Sequence, residues 1–167
     1  MTDGDTRPRS VCIWVTEGTW RASVDAALGL VPADAAVTLL HVTAAEVPDA
    51  AHGAYAGLFG RRGPDPGTRL EELAAASGGE LLEAAARRLG RPCQRREIQG
   101  RPERAVVSAC ADADLLILAR DGDRSRLGPK SLGKATRFVV DHAACPVLLV
   151  WPESAPDVAT IPPPPSA

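Results

Sequence analysis

Short apolar runs alternate along this chain with segments whose apolar residues recur at helical spacing. Four of these runs are rich in branched residues and have the length of buried strands, and a fifth, more polar segment at residues 93–98 predicts a strand at the edge of the sheet. The order of elements is β-α-β-loop-α-β-α-β-loop-α-β, and strands that alternate with helices form a parallel sheet covered on both faces. The sequence therefore predicts an α/β fold with a doubly wound five-stranded parallel sheet. The predicted strands span residues 11–15, 36–42, 93–98, 114–119 and 146–151.

The chain divides into one domain with two irregular ends. Residues 1–9 are polar and are predicted to be flexible, and residues 10–151 hold the α/β domain. Glycine and proline crowd residues 46–67, which predicts a long mobile loop inside the domain. The prolines of residues 152–167 predict a disordered or polyproline-like tail. The predicted helices span residues 20–30, 69–89, 105–111 and 131–143.

Composition excludes several classes of protein. The 167 residues carry a formal net charge of −2, which argues against a general nucleic-acid binder. The longest apolar runs, such as residues 147–151, fall far short of the roughly 18 residues that a membrane-spanning helix needs. No secretory signal core follows the polar N-terminus, so we expect a cytoplasmic protein. The four cysteines and three histidines lack ligand spacing, and no metal site is predicted.

One glycine-containing basic segment, residues 119–134, follows the fourth predicted strand. Ligands of parallel α/β sheets bind beyond the carboxyl ends of the strands, and a helix that starts there favours anions. Between Arg120 and Arg137, six basic residues stand against Asp121 and Asp123. Both lysines of the chain are among the six, so a small phosphorylated ligand is the partner that this segment predicts.

Near its C-terminus the sequence reads Leu132-Gly133 and then, over residues 139–150, Val-Val-Asp-His-Ala-Ala-Cys-Pro-Val-Leu-Leu-Val. This stretch is similar to the last helix and strand of the universal stress protein family, and the resemblance is strongest here. Residues 100–105 resemble its turn into the third helix, and Glu17-Gly18-Thr19 its Asp-Gly-Ser turn. The likeness covers about residues 10–151 and implies a Rossmann-like fold related to the adenine nucleotide alpha-hydrolases. It also implies a stress-response protein that binds a nucleotide and has no strong catalytic activity of its own.

The resemblance implies ATP as the ligand. Val15, Glu17 and Val42 would lie beside the nucleoside, and Ala119, Gly122, Gly133, Lys134 and Ala135 beside the phosphates. The chain departs from the family's phosphate pattern, because Ala119 replaces a glycine and Lys134 replaces a serine or threonine. Ten residues, one more than in the pattern, separate Gly122 from Gly133. Glu17 stands where ATP-binding members carry an aspartate.

Three functions therefore stay open at this stage. The first is a nucleotide-binding stress protein, and the second is a dimeric interaction module with a degenerate motif that binds no ATP. The third is an enzyme, which no Ser-His-Asp set or carboxylate pair supports, although weak ATP hydrolysis is not excluded. The resemblance further implies a homodimer formed through the last strand, whose apolar residues are Val147, Leu148, Leu149 and Val150.

Overall fold

The computed structural model describes residues 9–44 and 66–163, so the predicted N-terminal segment up to residue 8 and loop residues 46–65 lie outside it. Five strands and four helices alternate in the described ranges. Short 3-10 turns also occur at Pro129–Ser131 and Val158–Thr160. The elements are β1 (Ser10–Trp14), α1 (Trp20–Leu30), β2 (Ala36–Ala44), α2 (Pro66–Leu89), β3 (Gln94–Gly100), α3 (Pro102–Ala109), β4 (Leu115–Ala119), α4 (Lys134–His142) and β5 (Val147–Val150).

All five strands are parallel and lie in the order β3-β2-β1-β4-β5. Ile13 in the central strand is in register with Leu39 of β2 on one side and Ile117 of β4 on the other. The predicted doubly wound parallel sheet is therefore confirmed. The strand order reverses direction between β1 and β4, and parallel α/β sheets bind their ligands beyond the carboxyl ends of the strands at such a point.

Alternating side chains of the strands build two hydrophobic layers, one on each face of the sheet. Ile13, Leu39 and Ile117 belong to the layer under α1 and α2, and Leu40 and Leu118 to the layer under α3 and α4. Each of the five is at most 1% exposed, and complete burial of such a side chain contributes about 1.5–3 kcal/mol. This packing on both faces fixes where the strands end, and so where the loops of the site begin.

Helix α2 begins three residues earlier than predicted and ends at the predicted Leu89. It starts at Pro66, inside the predicted loop, because proline is well suited to the first turn of a helix. It also runs through Gly78 and Gly79 without a break. A Cβ atom on Gly78 would lie 2.8 Å from Cδ2 of His41, so the glycine permits the helix to approach the sheet closely.

The segment after β5 contacts the loop that precedes α4. The backbone N–H of Leu127 donates to Oγ1 of Thr160 over 3.0 Å, and Arg124 pairs with Glu153 at 3.0 Å. The carboxylate of Asp157 accepts a 2.7 Å hydrogen bond from the N–H of Ala159 and caps the last 3-10 turn. The proline content of this segment did not predict these contacts.

Candidate functional site

Three predicted site residues lie at the ends of neighbouring strands. Val15 directly follows β1, Val42 lies near the end of β2, and Ala119 is the last residue of β4. The Val15 N–H donates to the carbonyl oxygen of Leu40 at 2.8 Å, and Nδ1 of His41 donates to the Val15 carbonyl at 2.9 Å. All three predicted residues are buried. They therefore present mainly their backbone to the carboxyl edge of the sheet.

Glu17 projects from the tight turn that joins β1 to α1. The hydroxyls of Thr16 and Thr19 lie 2.6 Å apart, and the N–H of Trp20 donates to the carbonyl of Thr16 at 3.1 Å. Gly18 has a φ of +79°, a left-handed conformation that favours glycine. This turn leaves the Glu17 carboxylate exposed at the same edge of the sheet.

Glu17 lines a cavity of about 310 Å³ on the face covered by α1 and α2. This volume is at the lower end of the range for small-molecule sites. The guanidinium of Arg21 lies 4.7 Å from the centroid of the Trp20 ring at the same cavity. Because Nδ1 of His41 donates to a carbonyl, its Nε2 is an acceptor whenever the ring is neutral. The lining residues are Glu17, Trp20, Arg21, His41, Ser77, Glu80, Leu81 and Ala84.

The loop between β4 and α4 is closed by hydrogen bonds of its own backbone. The Gly122 N–H donates to the carbonyl of Ser131 at 2.9 Å, and the Asp123 N–H donates to the carbonyl of Lys130 at 2.8 Å. A Cβ atom on Gly122 would lie 2.8 Å from the carbonyl carbons of Ser131 and Leu132. Gly122 therefore serves the contact between the two arms of this loop.

Gly133, at the entrance to α4, is in contact with an acidic side chain. Its N–H donates to Oδ1 of Asp121 over 2.8 Å. A Cβ atom on Gly133 would lie 2.9 Å from both carboxylate oxygens. Both glycines that the sequence assigns to phosphate contact thus approach other parts of their own loop.

Arg120 joins this loop to the end of β5. Its guanidinium donates to Oγ of the buried Ser131 and lies 4.6 Å from the centroid of the Trp151 ring. Ser131 in turn donates to the carbonyl of Gly128 at 2.6 Å. These contacts explain why α4 begins at Lys134 and not at residue 131, since Ser131 belongs to a 3-10 turn held by Arg120.

Most arginines of the predicted basic segment are engaged within the protein. Besides Arg120 and Arg124, Arg137 donates to the carbonyl of Pro129, and Arg126 lies 4.0 Å from Asp123. Hydrogen bonds from the side chain and backbone of Ser125 lower the pKa of the Asp123 carboxyl. Lys130 and Lys134 are both exposed. The two lysines are therefore the cations that this segment presents most openly to a ligand.

Several backbone donors that a phosphate chain would use in this loop are already engaged within the protein. The N–H groups of Gly122, Asp123 and Gly133 all have internal acceptors. The first N–H groups of α4 have no acceptor within the helix, but the Asp121 carboxylate lies beside them at Gly133. The turn after β1, where a nucleoside is expected, differs from this loop, because Glu17 there lines an open cavity next to the strand ends.

The predicted residues thus form two groups. Val15, Val42 and Ala119 occupy adjacent strand ends, whereas the loop and the start of α4 bring Gly122 and Gly133 together with Lys134 and Ala135. Glu17 lines its cavity without any residue of the second group. Sequence reasoning missed Asp121 and Ser131 as partners of the loop, and it missed His41, Trp20 and Arg21 as cavity residues.

Within the described ranges, no group of three or more His, Cys, Asp or Glu side chains is arranged to hold a metal ion. Among residues 9–44 and 66–163, no helix is both long and apolar enough to cross a membrane.

Comparisons with known proteins agree on the fold. A model of the universal stress protein family matches residues 22–150, and a search of curated proteins gives no significant match. A universal stress protein in complex with cAMP superposes with a TM-score of 0.61 at 17% identity, over 88% of this chain and 99% of that chain. UspA from Lactobacillus plantarum superposes with a TM-score of 0.56 at 19% identity, over 86% of this chain and 98% of that chain. A universal stress protein family protein from Arabidopsis thaliana with AMP bound superposes with a TM-score of 0.57 at 18% identity, over 93% of this chain and 96% of that chain. At these identities, the structural likeness shows a shared fold alone.

Proposed function

Because the chain belongs to the universal stress protein family, we propose that it binds an adenine nucleotide at the carboxyl edge of its sheet. The observation that carries the proposal is the reversal of strand order between β1 and β4. The turn with Glu17 follows β1 and the loop before α4 follows β4, so both lie at this point. Two structures with the same fold contain AMP and cAMP, which supports an adenine nucleotide over other phosphorylated ligands.

Each part of the nucleotide has a suitable partner in this proposal. The exposed Glu17 carboxylate accepts hydrogen bonds from the ribose hydroxyls, and the backbone near Val15 and Val42 faces the base. Lys134 and Lys130 supply positive charge for phosphate, helped by the N-terminal end of α4. Ala135 lies in the first turn of that helix. ATP itself is the weaker candidate ligand, because Asp121 and the internal hydrogen bonds take up the loop's donors.

Calorimetric titration with adenosine, AMP, cAMP and ATP tests this function. We expect AMP to bind, and Glu17→Gln to weaken its binding about tenfold, as loss of a charged hydrogen bond does. Asp34→Asn is the matched control, since Asp34 lines a cavity at the opposite, amino edge of the sheet. An absence of heat with every adenine compound at millimolar concentration would contradict the proposal. So would equal effects of the two substitutions.

A second function, a dimeric interaction module that binds no nucleotide, is favoured by the closed loop before α4. This function predicts that the purified protein shows no nucleotide absorbance and that neither ATP nor AMP changes its melting temperature. In either case we propose a homodimer that pairs through β5, because this strand forms an open edge of the sheet and is apolar. We assign no reaction to the protein, and its cytoplasmic location stays a prediction.

A further inference from the structure

The carboxylate of Asp121 stands where a bound phosphate would need a backbone donor. Its Oδ1 accepts the N–H of Gly133 at 2.8 Å, and both carboxylate oxygens would lie 2.9 Å from a Cβ atom on this glycine. The site therefore already contains one internal anion at the entrance to α4. An additional anion at the same amide would have to displace this carboxylate or lie within a few ångströms of it.

We propose that Asp121 is a specificity-determining residue that restricts the site to adenine ligands with few phosphate charges and disfavours triphosphates. This inference rests on the proposed nucleotide site and deepens it. Charge repulsion at short range grows with each negative charge on the ligand. The penalty is therefore absent for adenosine, small for AMP and cAMP, and largest for ATP.

The rest of the loop strengthens this selection. The N–H groups of Gly122 and Asp123 bond to the carbonyls of Ser131 and Lys130, so a chain of phosphates cannot use them without opening the loop. Contacts from the segment after β5 hold the same loop, through Thr160 on the N–H of Leu127. A single phosphate beside Lys134 needs none of these bonds to break.

Two substitutions at Asp121 separate the effect of its negative charge from the effect of its hydrogen bond to the Gly133 N–H. Asp121→Asn keeps an oxygen acceptor for the Gly133 N–H but removes the negative charge, whereas Asp121→Ala also frees the N–H. Asp123→Asn is the matched control, because it removes the same charge from the same loop. The Asp123 carboxylate accepts hydrogen bonds from the N–H and hydroxyl of Ser125 and lies 4.0 Å from Arg126, whereas the Gly133 N–H bonds to Asp121.

The experiment is calorimetric titration of wild type and the three variants with adenosine, AMP and ATP. We expect wild type to bind AMP more tightly than ATP. Asp121→Asn should raise the affinity for ATP about tenfold, and Asp121→Ala should raise it at least as much. Neither substitution should change the affinity for adenosine by more than about twofold. Asp123→Asn should change ATP binding by less than about threefold.

Each of the other outcomes overturns the inference and shows where it failed. If wild type binds AMP but ATP affinity does not rise in either Asp121 variant, Asp121 sets no specificity, although the nucleotide site stands. If Asp123→Asn tightens ATP as much as Asp121→Asn does, general charge and not the Gly133 contact is responsible. If neither wild type nor the variants bind any adenine compound, the proposed function fails, and this inference fails with it. Circular dichroism of each variant confirms that it is folded.

Discussion

The Asp121 carboxylate accepts a 2.8 Å hydrogen bond from the backbone N–H of Gly133, and it thereby joins the first residues of a loop to the helix that ends it. The bond closes a segment of the chain whose glycines and lysines suggest phosphate binding. The loop is thus a structural unit before any ligand is considered.

Gly122 is required by packing within this loop. A Cβ atom there would contact the backbone of Ser131 and Leu132 at 2.8 Å, and backbone cannot move aside as easily as a side chain. We expect Gly122→Ala to lower the free energy of unfolding by about 1–3 kcal/mol, measured by urea denaturation. Gly79→Ala is the control, and we expect it to raise the free energy of unfolding. Nothing lies within 4 Å of its Cβ position, and alanine favours the helix by about 0.5–1 kcal/mol. A neutral Gly122→Ala would contradict this packing.

Arg120 holds the loop to the end of β5. We expect Arg120→Ala to destabilise the domain by about 2 kcal/mol, because it removes a charged hydrogen bond to Ser131 and the stacking on Trp151. Tryptic cleavage after Arg126 should also become faster. Arg124→Ala removes only an ion pair with Glu153, whose side chain is 66% exposed, and should cost at most about 1 kcal/mol. Equal effects of the two substitutions would show that Arg120 has no special role.

The ion pair of Asp25 with Arg88 joins α1 to α2 and makes stability depend on pH. Two hydrogen bonds of 2.6 and 2.7 Å from Arg88 lower the pKa of the Asp25 carboxyl below its usual 3.8. The resulting stability is present above this value and is lost as the pH falls through the lowered pKa. We expect Asp25→Asn to lower Tm by roughly 1–2 °C at pH 7, a small amount because both partners are exposed. The difference should vanish in strong acid, and a constant difference would contradict the assignment.

The backbone of β5 predicts which amides a homodimer would protect. The carbonyls of Pro146 and Val150 accept bonds from Leu116 and Arg120 at 2.9 Å each. In a parallel ladder the intervening N–H groups, those of Val147 and Leu149, then point toward the open edge. We expect their hydrogen exchange to slow as protein concentration rises. Fast exchange at every concentration, together with a monomer by light scattering, would exclude this dimer.

The sequence predicted the sheet well because burial on both faces leaves a strong local pattern. The apolar runs around Ile13 and Ile117 had to be strands with helices on either side, and the structure confirms them. Helix limits were less accurate. The pair Gly78-Gly79 suggests a weak helix, yet Gly78 is needed where α2 crosses His41, and this requirement is visible only once the sheet is assembled.

The sequence predicted where the proposed site residues lie in the fold, but not the contacts they make. Glu17, after β1, and Val42, near the end of β2, could be placed at the carboxyl edge of the sheet because parallel strands end at a common edge. The contact of Asp121 with Gly133 could not, since it depends on the path of the eleven residues between them. Ser131 was expected in a helix because its hydrogen bonds to Arg120 and Gly128 leave no periodic signal.

Backbone amide chemical shifts during a titration with AMP test the central claim most directly. We predict that the amides of residues 15–18 and of Val42 and Thr43 shift together with those of Lys134 and Ala135, while the Gly133 amide keeps its bond to Asp121. Amides at the opposite edge, such as Ser10 and Cys93, should stay unchanged. Shifts confined to that opposite edge, or none at all at millimolar AMP, would contradict an adenine nucleotide site at the carboxyl ends of β1 and β4.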